Sequence, residues 1–162
     1  SLPAHVWIGT TVENQEYARK RIKYLLELES PSVRFVSCEP LLGPLDLSTY
    51  LKPGQRGTRI NWVIAGGESG HGARPMDPIW PEQLQAQCAA AGVPFHFKQW
   101  GHWAPAENVQ IPTRLPKSKI IHFVNGGLQV PVLNVGKSAA GRVLKGRTWD
   151  QFPATATSTI ER

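Results

Sequence analysis

Four short polar clusters stand where chemistry could be done: Thr10, Thr11 and Glu13; Cys38 and Glu39; Glu68 and Ser69; and Lys98, Gln99 and Trp100. The carboxylates Glu39 and Glu68 are the residue types for proton transfer or for gripping an amino group, provided that their surroundings push their pKa values apart. Lys98 is the cation to meet an anionic group on a ligand, or else to pair with one of those glutamates. The turn Gly66-Gly67-Glu68-Ser69-Gly70 lets a ligand approach the backbone closely while it aims Glu68, and Arg74 follows nearby. It matches neither the dinucleotide GxGxxG pattern nor the phosphate-binding loop that ends in Gly-Lys-Ser/Thr. Each cluster also has a plain structural reading, since a carboxylate can brace a loop and a glycine-rich turn can simply be tight.

The pattern between the clusters says how they would meet. Residues 6–12 are rich in β-branched and aromatic side chains and lead into residues 13–28, where Ala18, Ile22, Leu25 and Leu26 recur at helical spacing. Asn14 suits the N-cap with Glu16 in the first turn, and Ser30-Pro31 supplies the stop. Val33–Cys38, Trp62–Gly66 and residues 94–98 read as further strands. The run at Trp62 has little alternation, as in a parallel strand covered on both faces. Prolines 40 and 44 make residues 39–45 an ordered loop packed by its own leucines. From Asp77, the series Trp80, Leu84, Cys88 and Ala91 predicts a helix closed by Gly92 and Pro94. Four strands at intervals of about thirty residues are successive βα units. Right-handed crossovers stack them into a parallel sheet or part of a barrel. In such folds the C-terminal strand ends share one rim, and that rim would gather the four clusters.

Beyond Trp103 the βα rhythm stops, which divides the chain into a parallel βα domain, residues 1–103, and an appended subdomain, residues 104–162. Residues 120–124 and 129–133 flank Asn125-Gly126-Gly127, a strong hairpin signal. Pro131 marks its strand as an edge. Residues 137–144 make at most a short helix, and the Thr/Ala/Ser-rich end after Phe152 should fray.

At 162 residues, 41% hydrophobic and 19% charged, the chain suits one main core plus an appendage. No run approaches the ~20 apolar residues of a membrane span and no signal-peptide pattern opens the chain, so a cytoplasmic protein without a membrane role is expected. Cys38 and Cys88 are too few and too far apart for a disulfide framework or a zinc site and should be buried thiols. His5, His71, His96 and His122 show no ligand spacing, so no metal site is expected from them. The net charge of +6 favours an acidic partner such as nucleic acid. Trp100, His102 and Trp103 could then offer a stacking surface for bases, and Lys137, Arg142, Lys145 and Arg147 could track phosphates. Core packing is nevertheless the favoured reading for the tryptophans, which directly follow a buried strand, and a solvated face for the cations.

Several longer stretches carry a resemblance. They are residues 6–15 (VWIGTTVENQ), 33–43 (VRFVSCEPLLG), 62–70 (WVIAGGESG) continuing through 73–76 (ARPM), 92–101 (GVPFHFKQWG) and 135–137 (VGK) onward to Trp149-Asp150. Together, and in this order, they closely resemble the bacteriophage gp-thirty-seven/gp-sixty-eight family over nearly the whole chain. Complete members are similar to radical SAM proteins, with a three-cysteine motif in the N-terminal half on a partial TIM barrel. The resemblance implies a phage or prophage protein with an α/β fold. That fold is a partial TIM-like barrel or parallel sheet of about four βα units, with an appended hairpin and short helix.

On this resemblance the chain is the C-terminal half, inactive alone, whose partner is the missing N-terminal half. The opening Ser1-Leu2-Pro3, without an initiator methionine, leads to the same expectation. S-adenosylmethionine and a 4Fe-4S cluster are then implied for the complete protein and no cofactor for this chain, because Cys38 and Cys88 cannot act as a cluster loop. By position in such a fold, Glu39, Glu68 and Lys98 are the candidate catalytic residues, and Thr10, Gly66, Gly67 and Ser69 the candidate cofactor-binding positions. The alternative is a non-catalytic module that binds nucleic acid or a protein partner. Half a barrel would expose strand edges, so either self-association or a compact sheet sealed by the C-terminal hairpin is expected.

Overall fold

The computed structural model describes residues 3, 5–29, 33–54, 57–110 and 116–154. The proposed helix stop at Ser30-Pro31 and most of the tail beyond Phe152 lie outside them. Strands β1 (Trp7–Thr11), β2 (Val33–Cys38), β3 (Trp62–Gly66) and β4 (Phe95–Gln99) lie side by side in that order, each parallel to the next. Helix α1 (Gln15–Glu27) follows β1, the single turn α2 (Ser48–Leu51) lies between β2 and β3, and α3 (Ile79–Ala91) joins β3 to β4.

Local sequence accounts for these elements. The Asn14 side chain accepts hydrogen bonds from the amides of Glu16 (3.0 Å) and Tyr17 (3.2 Å), satisfying two donors that the first turn of α1 leaves free. Gly92 closes α3 in the left-handed region at φ 62°, its amide reaching back to the carbonyls of the last turn. In the loop after β2, Leu41, Leu45 and Leu47 are buried as the prolines and leucines there imply.

All the helices lie on one face of the sheet. Ala18, Ile22 and Leu25 of α1, Leu51 of α2, and Leu84 and Cys88 of α3 share one core with Val36, Cys38, Val63, Ala65, Phe95 and Phe97. This follows from the strand order, because right-handed crossovers that never reverse put every connection on the same side. The described strands do not close into a barrel.

Strand β3 is covered on both faces, as its run of apolar residues implies, but only one of the covers is a layer of helices. On the second face Trp62 is shielded by other rings, with centroids 5.8 Å from Trp7, 5.8 Å from Phe35 and 4.9 Å from Phe152. An aromatic cluster thus does there what a helix layer would otherwise do.

The outer edge of β4 is occupied. The Phe97 amide donates to the carbonyl of Trp149 (2.9 Å), the Gln151 amide donates to that of Phe95 (3.3 Å), and His96 bridges Asp150 in antiparallel sense. The Gln151 side-chain oxygen accepts from the Phe95 amide at 3.0 Å. It is this C-terminal segment, not the hairpin, that seals the sheet.

The hairpin builds a second sheet with β5 (Trp103–Pro105), β6 (Ile120–Asn125) and β7 (Leu128–Asn134), antiparallel and in the order β5-β7-β6. Gly126 and Gly127 turn the hairpin at φ 57° and 85°, the primed geometry that two-residue hairpins favour. The strand carrying Pro131 is central rather than an edge. β5 pairs only with residues from Val132 onward, so the missing N–H of Pro131 falls where that ladder has ended. Helix α4 (Lys137–Ala140) follows, and its Ala140 enters the main core with Leu144 and with Ala104 of β5. No helix among the described residues is long and apolar enough to cross a membrane.

Candidate functional site

Strand alternation decides which side chains reach the rim. Cys38 at the end of β2 faces the helices and is fully buried, so Ser37 and Glu39 fall on the opposite, helix-free face. There the Ser37 hydroxyl donates to Glu39 Oε2 at 3.1 Å. The register of β3 against β4 slips between Ala65 and Gly66, pairing Ala65 with Phe97 and Gly66 with Gln99, so Lys98 is the extra residue of a bulge. Bulges re-aim side chains, and the ammonium of Lys98 lies 3.4 Å from Glu39 Oε1 and 3.5 Å from Oε2. Gly66 makes room for this pair, because a Cβ there would stand 2.7 Å from Glu39 Oε1.

The loops around the pair are held by backbone bonds. The Leu41 amide donates to Gly66 O (2.9 Å) and the Leu42 amide to Glu13 O (2.8 Å), tying the loop after β2 to its neighbours on both sides. Gly67 and Gly101 let the loop after β3 and the chain after β4 touch: Gly67 donates to Gln99 O and His102 to Glu68 O, both at 2.9 Å. The Gly70 amide donates to His102 Nδ1 at 3.0 Å.

Glu68 belongs to this bracing. Its Oε2 accepts from the Arg74 amide and Nε, both at 2.8 Å, and its Oε1 accepts from Nη2 at 3.0 Å. The guanidinium and amide of Arg74 hold the Glu68 carboxyl down at about 2, against a weaker upward push from burial. A carboxyl so held is ionised throughout the neutral range and is a poor proton shuttle. Because its folded pKa lies below the ordinary 4.5, the stabilisation it gives is complete above pH ~4.5 and is lost as pH falls through about 2. Arg74→Gln should therefore flatten the decline of the thermal midpoint between those limits. Parent and variant curves that run parallel would show that the bracing is absent.

Glu39, Pro40, Gly67, Glu68, Ser69, Lys98 and Gln99 line one depression of ≈ 260 Å³. The candidates Glu39, Glu68, Lys98, Gly67 and Ser69 thus meet at a single mouth, with Gly66 directly beneath Glu39. Thr10 does not join them. It shares a strand face with Ile8 and Val12, which pack under the helices.

Thr11 takes the place on the helix-free face instead. Arg21 Nη1 donates to the carbonyl (2.8 Å) and hydroxyl (2.7 Å) of Thr11 and to both carboxylate oxygens of Glu13 (3.1 Å). Burial pushes the Glu13 carboxyl up, but its own amide, Thr11 and Arg21 outweigh this and leave it below the usual range. Arg21 thus braces the end of β1 and the residues after it, while Ser37, bonded to Glu39, is a site residue that pattern reading passed over. For Ser37 the signal was present, since it stands two residues before Glu39 on a strand and must share its face.

Other assignments resolve as packing. Trp100 and Trp103 are buried, their indole N–H groups donating to Val143 O and Ala73 O, both at 2.7 Å, so they fill cores rather than stack on a ligand. Cys38 and Cys88 are free and buried, and burial pushes both thiols up, Cys88 to about 12. No group of three His, Cys, Asp or Glu side chains among the described residues could hold a metal ion.

Compared with known proteins, residues 1–153 match a family model described as "Protein of unknown function (DUF5131)". No curated protein and no solved structure matches the chain.

Proposed function

We propose that this chain, which belongs to the DUF5131 family of proteins of unknown function, supplies the ligand-handling rim of a radical-SAM-like enzyme of phage or prophage origin that acts in the cytoplasm. The observation that carries this reading is the meeting of Glu39, Ser37 and Lys98, from two strand ends, on the helix-free face of a parallel sheet. Catalytic groups of parallel βα folds occupy that position. Two free thiols suit a reducing compartment.

The chain does not fit the iron-sulfur cluster itself. A cluster needs closely spaced thiolates, whereas Cys38 and Cys88 are fully buried in the main core under the helices and firmly protonated. Its ligands would come from a preceding half of the protein. Among the described strands β1 pairs on one side only, so that half would pair along its open edge.

The rim does fit the amino-acid end of S-adenosylmethionine. Glu39 would hold the ammonium and Lys98 the carboxylate, each exchanging its present partner for one of opposite charge on the ligand. With its cluster, the bound cofactor supplies one-electron chemistry. Ser37 keeps Glu39 oriented, the Glu68–Arg74 pair keeps the glycine loop in place, and the backbone of Gly67 to Ser69 leaves room for close approach. Glu68 is thus assigned a positioning role, and Gly66 makes room for Glu39 instead of touching the cofactor.

Reconstituting the complete gene product with iron and sulfide should give cluster absorbance and cleavage of S-adenosylmethionine. Neither signal, in a folded protein, would remove the enzymatic reading.

A further inference from the structure

The positive charge is unevenly divided. Residues 1–103 hold ten Lys and Arg against nine Asp and Glu, whereas residues 104–162 hold eight against three. The excess lies almost entirely in the C-terminal part of the chain, which forms most of the second sheet and the segment that seals β4.

Several of these cations are engaged. Arg142 pairs with Asp150, and Arg147 stacks on the Trp149 ring at 4.2 Å. Lys145 sits close enough to Glu82 to draw its carboxyl down against the larger upward push of burial. Lys117, Lys119 and Lys137 are exposed, and none forms an ion pair among the described residues.

Sheet register places these three together. Lys117 and Lys119 lie in the turn that leads into β6, whose first residue, Ile120, pairs with Leu133, and Lys137 follows the end of β7 at Asn134. β5 begins at that same end, where Trp103 pairs with Asn134. The end is tied to the rim, because the amides of Val135 and Gly136 donate to His102 O (3.0 and 3.2 Å) while the His102 amide donates to Glu68 O. The end of the second sheet that carries the three lysines is therefore joined, through His102, to the loop that bears Glu68.

We propose that this end of the second sheet binds the phosphate backbone of a nucleic acid and leads a strand to the rim. Lysines are point charges that track phosphates without reading sequence. A membrane surface fits less well, because binding there needs an apolar patch beside the cations. The exposed apolar side chains of the hairpin, Val124 and Leu128, lie at its opposite tip, next to the Gly126-Gly127 turn. The proposal deepens the rim reading and rests on it for where the strand leads. The rim reading itself stands or falls on S-adenosylmethionine binding by the complete protein, a titration in which these lysines take no part.

The test is fluorescence anisotropy of a labelled single-stranded DNA of mixed sequence with this chain, titrated between about 50 and 200 mM salt. Lys117→Gln/Lys119→Gln/Lys137→Gln should weaken binding at the lowest salt at least tenfold. It should also make the log–log salt slope shallower by about 2, three phosphates at ~0.7 each. Its thermal midpoint should stay at the parent value. Arg19→Gln/Lys23→Gln on α1 should bind as the parent does. The proposal is overturned by no binding at low salt, by a triple variant that binds like the parent, or by an equal loss in the α1 variant. Competition by polyglutamate as effective as that by unlabelled DNA of equal charge would also overturn it, by pointing to an acidic protein instead.

Discussion

Gly67→Ala should leave little folded protein, and Gly101→Ala should do the same. A Cβ on Gly67 would stand 2.0 Å from the carbonyl oxygen of Trp100, and one on Gly101 would stand 2.0 Å from that of Glu68. Both obstacles are backbone, and both strands of chain are held by the 2.9 Å bonds from Gly67 to Gln99 O and from His102 to Glu68 O. No side chain is available to swing away. Gly101 also sits at φ 83°, where an L residue is strained even in open space. Ordinary substitutions cost about 0.5–3 kcal/mol, and these two should exceed about 4 kcal/mol, a large share of a typical domain's 5–15 kcal/mol. Gly43→Ala is the control, since its nearest neighbour would be an ordinary 3.7 Å away. Its urea midpoint should match the parent's. A Gly67→Ala protein melting within about 1 kcal/mol of the parent would show that the two loops do not touch as described.

Removing the C-terminal seal should be nearly as damaging. The Trp149 indole packs edge-on against Phe95 at 6.3 Å and donates to Leu144 O at 2.9 Å, while its carbonyl accepts the Phe97 amide of the edge strand. Gln151 O accepts from the Trp62 indole at 2.9 Å, joining the seal to the aromatic cluster. Trp149→Ala should cost about 3 kcal/mol, the low end for a large aromatic because this one is half-buried. A chain ending at Thr148 should lose more and also self-associate, since an open strand edge is a template for pairing. Chemical denaturation reads the first effect and light scattering the second. A truncated chain as stable and as monomeric as the parent would mean that β4 needs no cover.

Much of the parallel sheet was legible because its signals are local. The series Trp80, Leu84, Cys88 closed by Gly92, and the cap at Asn14, depend on neighbours within a turn or two of the chain. The strand ends followed from the same pattern, and with them the meeting of Glu39 and Lys98. What could not be read depends on contacts distant in sequence. Nothing near Trp149 or Gln151 announces that they pair with a strand more than fifty residues earlier. Pro131 looked like an edge marker because the short strand that stops beside it, Trp103–Pro105, carries little β signal of its own. The choice of Thr10 over Thr11 turned on one step of strand phase, which a motif does not specify but the burial of Val12 does. Glu68 had the position of a catalytic carboxylate, but the fold back to Arg74 commits both of its oxygens.

The most direct test of the shared rim is the affinity of the complete, cluster-loaded protein for S-adenosylmethionine in three variants. Glu39→Gln and Lys98→Met should each weaken binding at least tenfold, about 1.4 kcal/mol. The double variant should lose less than the product, because the two groups act as a pair. Glu68→Gln should alter affinity only as far as it alters stability. Unchanged binding in Glu39→Gln, or a folded Glu68→Gln protein that loses as much as either, would contradict a site built on Glu39 and Lys98.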